Sequence, residues 1–151
     1  MEHATLARTP VHLWIVGILS LLWNAFGAFD YFQTRTKGAE WINAMMPGVN
    51  GDQFMAYINA FPLWASIGWG LGVWFALAGS ILLLMRHRLT VMAFGISLVG
   101  AVIGIGYQLM NPVDIPELHA GFNGFVPYLV ILIALALFLY ALAQAAKGVL
   151  R

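Results

Sequence analysis

The sequence contains no cysteine and only 9% charged residues. The absence of cysteine excludes disulfides, thiolate-ligated zinc or iron–sulfur centres and a cysteine nucleophile. The shortage of charge excludes more. Soluble domains give about a quarter of their residues to Asp, Glu, Lys and Arg, and a water-soluble fold of 151 residues needs more polar surface than this chain offers. A net charge of +1 provides no basic stripe for a phosphate backbone, so nucleic acid is not an expected partner. No nucleophile with a base, no metal-binding spacing and no glycine-rich phosphate loop stands out, so neither an enzyme nor a cofactor or metal is expected. What is abundant is apolar: 62% hydrophobic residues and a mean hydropathy of +0.84. These point to an integral membrane protein whose main partner is the lipid bilayer.

A helix needs about 20 apolar residues to cross the hydrocarbon core. Four stretches free of Asp, Glu, Lys and Arg are long enough to cross once: 9–29, 53–85, 89–113 and 118–146. The expected spans are 11–31, 62–84, 89–110 and 126–146, in a single domain covering 1–151. Backbone groups in lipid must be satisfied within the segment, and the apolar runs are continuous rather than alternating. The expected fold is therefore all-α, an up-down four-helix membrane bundle. Lys and Arg divide five against two: Arg8, Arg86, Arg88, Lys147 and Arg151 on one side, Arg35 and Lys37 on the other. By the positive-inside rule both termini are expected in the cytoplasm. Ala25-Phe-Gly27 has a weak cleavage-like pattern, but the apolar run is longer than a usual signal-peptide core, so it is read as a retained span.

The longer loop between spans one and two, 33–60, is expected to hold short interfacial helices on the periplasmic side. Trp41, Ile42, Met45 and Met46 fall on one side of a short helix. Pro47-Gly48 and Asn50-Gly51 read as turns, and Asp52 as an N-cap. Pro62 suits the first turn of span two. Arg86-His87-Arg88 is a turn short enough to make spans two and three an antiparallel hairpin. Pro112 and Pro116 rule out one continuous helix between spans three and four, and Asn123 is expected to cap a helix opened by Pro127.

Membrane helices associate through close approach at small residues and through interhelical hydrogen bonds. At 100° per residue, Gly17, Ser20, Asn24, Gly27 and Tyr31 share an arc of span one. Ala65, Gly68, Gly72, Ala76 and Gly79 share one in span two, and Ser97, Gly100, Gly104, Tyr107, Gln108 and Asn111 one in span three. Span four offers Ala134, Ala141 and Ala145. The glycines and Ser20 are expected to pack helices. Asn24, Asp30, Ser66, Tyr107 and Gln108 fall in the same outer half of the bilayer and form a candidate polar pocket. Asp30 is the acidic residue nearest hydrocarbon depth, where a carboxylate is costly and by default functional.

The histidines suggest no haem pair: His3 is in a tail, His12 near an interface, His87 in a turn and His119 in a loop. Asp114, Glu117 and His119 match no established metal spacing. Trp14, Trp41 and Trp64 suit interface anchoring. Trp23, Trp69 and Trp74 lie deeper, and the five-residue spacing of Trp64, Trp69 and Trp74 keeps no single helical face, so no aromatic binding box is expected.

Leu21-Leu-Trp-Asn-Ala-Phe-Gly-Ala-Phe-Asp-Tyr31, and Phe61-Pro-Leu-Trp-Ala through Gly72-Val-Trp to Gly79-Ser-Ile-Leu-Leu-Leu, resemble a bacterial family of small four-span membrane proteins whose members often carry the label "sugar transporter". The resemblance covers segments of spans one and two. It implies the four-span fold, a bacterial inner (cytoplasmic) membrane and, more weakly, transport, and it carries over no binding residues. The small size, short loops and small-residue faces favour a different role, an accessory subunit that associates with other membrane subunits or with itself. A small-solute carrier working as an oligomer, with an outward-facing polar pocket, is the alternative.

Overall fold

The computed structural model describes residues 7–151; His3 lies outside them. The described chain is all-helical, with four helices long and apolar enough to cross a membrane. In chain order the helices are α1 (Val11–Lys37), α2 (Ala39–Met45), α3 (Gly51–Asn59), α4 (Leu63–Leu84), α5 (Thr90–Met110), α6 (Pro116–His119) and α7 (Gly121–Ala146). α1, α4, α5 and α7 are the spans. Two of them start or stop more than one residue from the expected bounds. α1 runs unbroken through 25–27 and on to Lys37, because nothing between Tyr31 and Lys37 disfavours a helix until Gly38 turns the chain at φ 58°. Its 27 residues reach about 40 Å, beyond the hydrocarbon thickness. α7 starts at Gly121 and contains both Asn123 and Pro127, so Pro127 does not open it. Asn123 does not cap its N-terminus; its Nδ2 instead donates to the Glu117 carbonyl at 3.2 Å.

The loop-end capping also differs from expectation. Asn50, not Asp52, caps α3, its side chain accepting from the Gln53 N–H at 3.0 Å. Asn50-Gly51 is therefore a helix start rather than a free turn, and Pro62 sits one residue before α4. α2 and α3 fold over the loop end and share a small apolar core of Ile42, Val49 and Ile115, with Trp41 and Met46 packed against it. Met45, expected on the same side, is exposed. Gln53 Nε2 donates to the Asp114 carbonyl (2.8 Å) and the Tyr57 hydroxyl to the Asn111 carbonyl (2.7 Å), so this cap is tied to the α5–α7 connection.

α4 and α5 form the central hairpin, with α1 flanking α4 and α7 flanking α5. The contact is closest where Gly68 and Gly72 face Gly100 and Gly104. A Cβ at Gly100 would lie 2.5 Å from the Gly72 nitrogen and 2.6 Å from the Gly68 oxygen. Ser97 Oγ locks the pair by donating to the Gly72 carbonyl at 2.7 Å. Gly79 admits the Phe94 ring, and Gly17 admits Leu84. The remaining edge is different: α1 and α7 meet near the end that carries residues 7–13 and the C-terminus, where His12 Nδ1 and the Tyr140 hydroxyl hydrogen-bond at 2.5 Å. There Leu13, Leu83, Phe94, Leu137, Ala141, Val149 and Leu150 form the main buried cluster. The last residues reach it because α7 is closed after Ala146 by a Schellman turn, with Gly148 at φ 68° and the Val149 N–H donating to the Gln144 carbonyl. Arg88 N–H then donates to the Arg151 carbonyl and Arg151 N–H to the Arg86 carbonyl, pinning the C-terminus to the α4–α5 turn.

Candidate functional site

Above this cluster α1 and α7 part and, with the closely packed α4 and α5, enclose a cavity of about 380 Å³. Gly27 is the reason it exists on the α1 side. Unlike the other glycines of the expected packing set, it packs against nothing: a Cβ there would meet no atom within 4 Å. Trp23, Phe26, Gly27 and Asp30, at i, i+3, i+4 and i+7, form one face of α1 and line the cavity. α4 contributes Trp69, Gly72, Val73 and Ala76, and α5 contributes Ser97, Ala101 and Ile105. α7 brings Phe122, Val126, Val130 and Ala134. Phe94 and Leu137 form the floor and belong to the buried cluster. At the opposite end Phe26 and Phe122 line the cavity and are themselves exposed, so it opens sideways between α1 and α7.

The lining is apolar apart from Asn24, Asp30 and Ser97. Each polar group has a packing partner. Asn24 Nδ2 donates to Ser80 Oγ (2.8 Å) and to the Ala76 carbonyl (3.2 Å), joining α1 to α4. Ser20 only donates back to the Gly17 carbonyl of its own helix. Asp30 Oδ1 accepts from Trp41 Nε1 at 2.8 Å, and the Trp41 ring stands edge-on to Phe29. The site carboxylate is thus held by a residue of α2, across the bend at Gly38. Asp30 is the sole charged side chain of the lining.

The residues expected to form a polar pocket are therefore divided. Asn24 and Asp30 share the cavity; Ser66, Tyr107 and Gln108 do not line it. Tyr107 instead packs edge-on against Phe61 and Trp64. Sequence reasoning missed Trp23 and Trp69 as wall residues and Phe122 as a rim residue. Trp69 could not be found on a wheel of its own helix, because what it faces belongs to another helix: its ring stands edge-on to Tyr31 of α1, at 4.6 Å between centroids. Trp23, however, sits one turn from Phe26 and Gly27 and two from Asp30, a spacing visible in the sequence. His119 Nε2 hydrogen-bonds the Val113 carbonyl at 2.7 Å within its loop.

No protein-family model, curated protein or solved structure matches the chain. What stands is a class: a membrane protein of four spanning helices with a laterally open, mostly apolar cavity.

Proposed function

We propose that the protein is a non-enzymatic multi-pass membrane protein that holds a hydrophobic molecule inside the bundle, taken up sideways from the bilayer. The cavity carries this reading. Its volume is in the range of small-molecule sites, about 300–1,000 Å³, which are mostly apolar with a few placed polar groups. The opening faces the lipid side of α1 and α7. A sugar fits poorly: its hydroxyls need many partners, and the wall offers three polar side chains, each already engaged. This weighs against the small-solute carrier that the family resemblance implies. Photocrosslinking with a diazirine-bearing alkyl alcohol in bilayer nanodiscs tests the reading. Label is expected on the peptides holding Trp23–Asp30 and Phe122–Val130, and Gly27→Leu, which fills the space, is expected to remove it. Label confined to outward residues such as Leu19 and Leu132 would defeat the proposal.

One observation supports an accessory role in a larger inner-membrane assembly. α7 is the least covered span, with Phe125, Tyr128, Leu132, Leu135 and Leu139 exposed along it. That face suits a neighbouring membrane chain as well as lipid. Purification from native membranes is expected to yield a stable complex with other subunits; recovery of the protein alone, or only with itself, removes the accessory reading. The Lys and Arg split supports an orientation with both termini in the cytoplasm.

A further inference from the structure

Resting on that reading, we infer that the ligand is an amphiphile whose head carries a positively charged nitrogen, with that nitrogen at Asp30 and the apolar body extending toward Phe94 and Leu137. Three observations converge. Asp30 is the one charged group of the lining, and among the described residues its side-chain partner is a neutral indole, not a cation. A carboxylate at the edge of an apolar cavity gains most from a cationic partner, because the surroundings screen the pair poorly. The same end carries Phe26, Trp69 and Phe122, and aromatic faces attract ammonium groups, Trp most strongly. Below them Val126, Val130 and Ala101 offer hydrocarbon to the rest of the ligand, while Asn24 and Ser97 are engaged with Ser80, Ala76 and Gly72. Charge at the open end and hydrocarbon at the closed end match the polarity of a lipid lying beside the helices. The ligand therefore enters through the α1–α7 gap without turning over. An anionic amphiphile of the same shape is excluded by the same carboxylate.

Two sources supply this chemistry: the amine headgroup of a membrane phospholipid, or a free lipophilic amine. Native mass spectrometry of the whole chain in a neutral maltoside detergent, titrated with decyltrimethylammonium, decanol and decyl sulfate, tests the inference. One decyltrimethylammonium per chain is expected, bound about tenfold tighter than decanol, with decyl sulfate weakest. Asp30→Asn keeps the oxygen that accepts from Trp41, so the fold is retained while the preference for the cation disappears and decanol still binds. Gly27→Leu is expected to abolish binding of all three. Equal affinity for the three probes, or a preference that survives Asp30→Asn, overturns the cation inference and leaves the cavity reading standing. No binding of any probe, or full binding to Gly27→Leu, overturns both. Lipid analysis of the purified protein separates the sources. An amine phospholipid retained by the unaltered chain and lost with Gly27→Leu identifies the membrane lipid, whereas protein free of such lipid that binds the probe identifies a free amphiphile.

Discussion

Gly27 and Gly100 look alike in the sequence, each on the small-residue arc of its helix, yet they have opposite surroundings. Gly100 lets two backbones touch. A Cβ there would press on the Gly72 and Gly68 backbones, neither of which can rotate away. Gly100→Val is therefore expected to destabilise the bundle by about 1–3 kcal/mol, the range for overpacking, in a folding titration in mixed micelles. Gly27 borders empty space, so Gly27→Ala is expected to leave stability unchanged or raise it by up to about 1 kcal/mol, the helix-propensity gain. An equal loss for both variants would show that the cavity is closed at Gly27. Asn24 lies between these cases. Its side-chain amide joins α1 to α4 through two acceptors. Asn24→Ala is expected to cost about 0.6 kcal/mol, and at most about 1.7, the measured span for such bonds in a membrane bundle.

Among the elements, the spans were readable because lipid imposes one length and one kind of backbone. Their ends were less so, since there water competes and local chemistry decides. Asn50 reaches the Gln53 N–H from the residue before α3, which takes the N-cap from Asp52. Pro127 looked like a helix start, but α7 accepts it within the helix, six residues after Gly121. The turn between α4 and α5 was legible in length but not in conformation. It closes α4 as a Schellman turn with His87 N–H on the Leu82 carbonyl, and the residue in the left-handed region, φ 58°, is Arg86 rather than glycine. Left-handed backbone costs a residue with a Cβ about 1–2 kcal/mol. Arg86 Nε reaches the Val149 carbonyl at a long 3.4 Å, while one buried guanidinium nitrogen has no partner among the described residues, so there the side chain recovers little of that cost. Arg86→Gly is accordingly expected to be more stable than Arg86→Ala by about 1 kcal/mol in the same titration. Equal stabilities would place the residue outside the left-handed region.

At the scale of the molecule, the small-residue arcs of the central helices anticipate the α4–α5 contact, but no single-helix wheel anticipates the cavity. It arises from the relation between helices: α1 and α7 converge on Leu13, Leu137 and Ala141 at one end and part toward Phe26 and Phe122 at the other. The same arrangement brings residues 7–13 and the C-terminus together, because Ala7, Leu13 and Val149 share one cluster. Charge sets the expectation for which side of the membrane this end occupies. Arg86, Arg88, Lys147 and Arg151 gather there with Arg8, against Arg35 and Lys37 at the other end. Positive charge is retained on the cytoplasmic side, and acidic residues count for little. The cysteine-free sequence makes the test direct, since any introduced thiol is unique. In intact bacterial cells a membrane-impermeant maleimide is expected to label Asn43→Cys, which is exposed on α2, and to spare Leu89→Cys, exposed in the α4–α5 turn, until the membrane is permeabilised. Both substitutions leave the Lys and Arg count intact, so they do not disturb the balance under test. The reverse pattern would invert the molecule and turn the open end of the cavity toward the cytoplasmic leaflet. The source of the amphiphile would then have to be sought in that leaflet, while the polarity inside the cavity, carboxylate above and hydrocarbon below, would be the same.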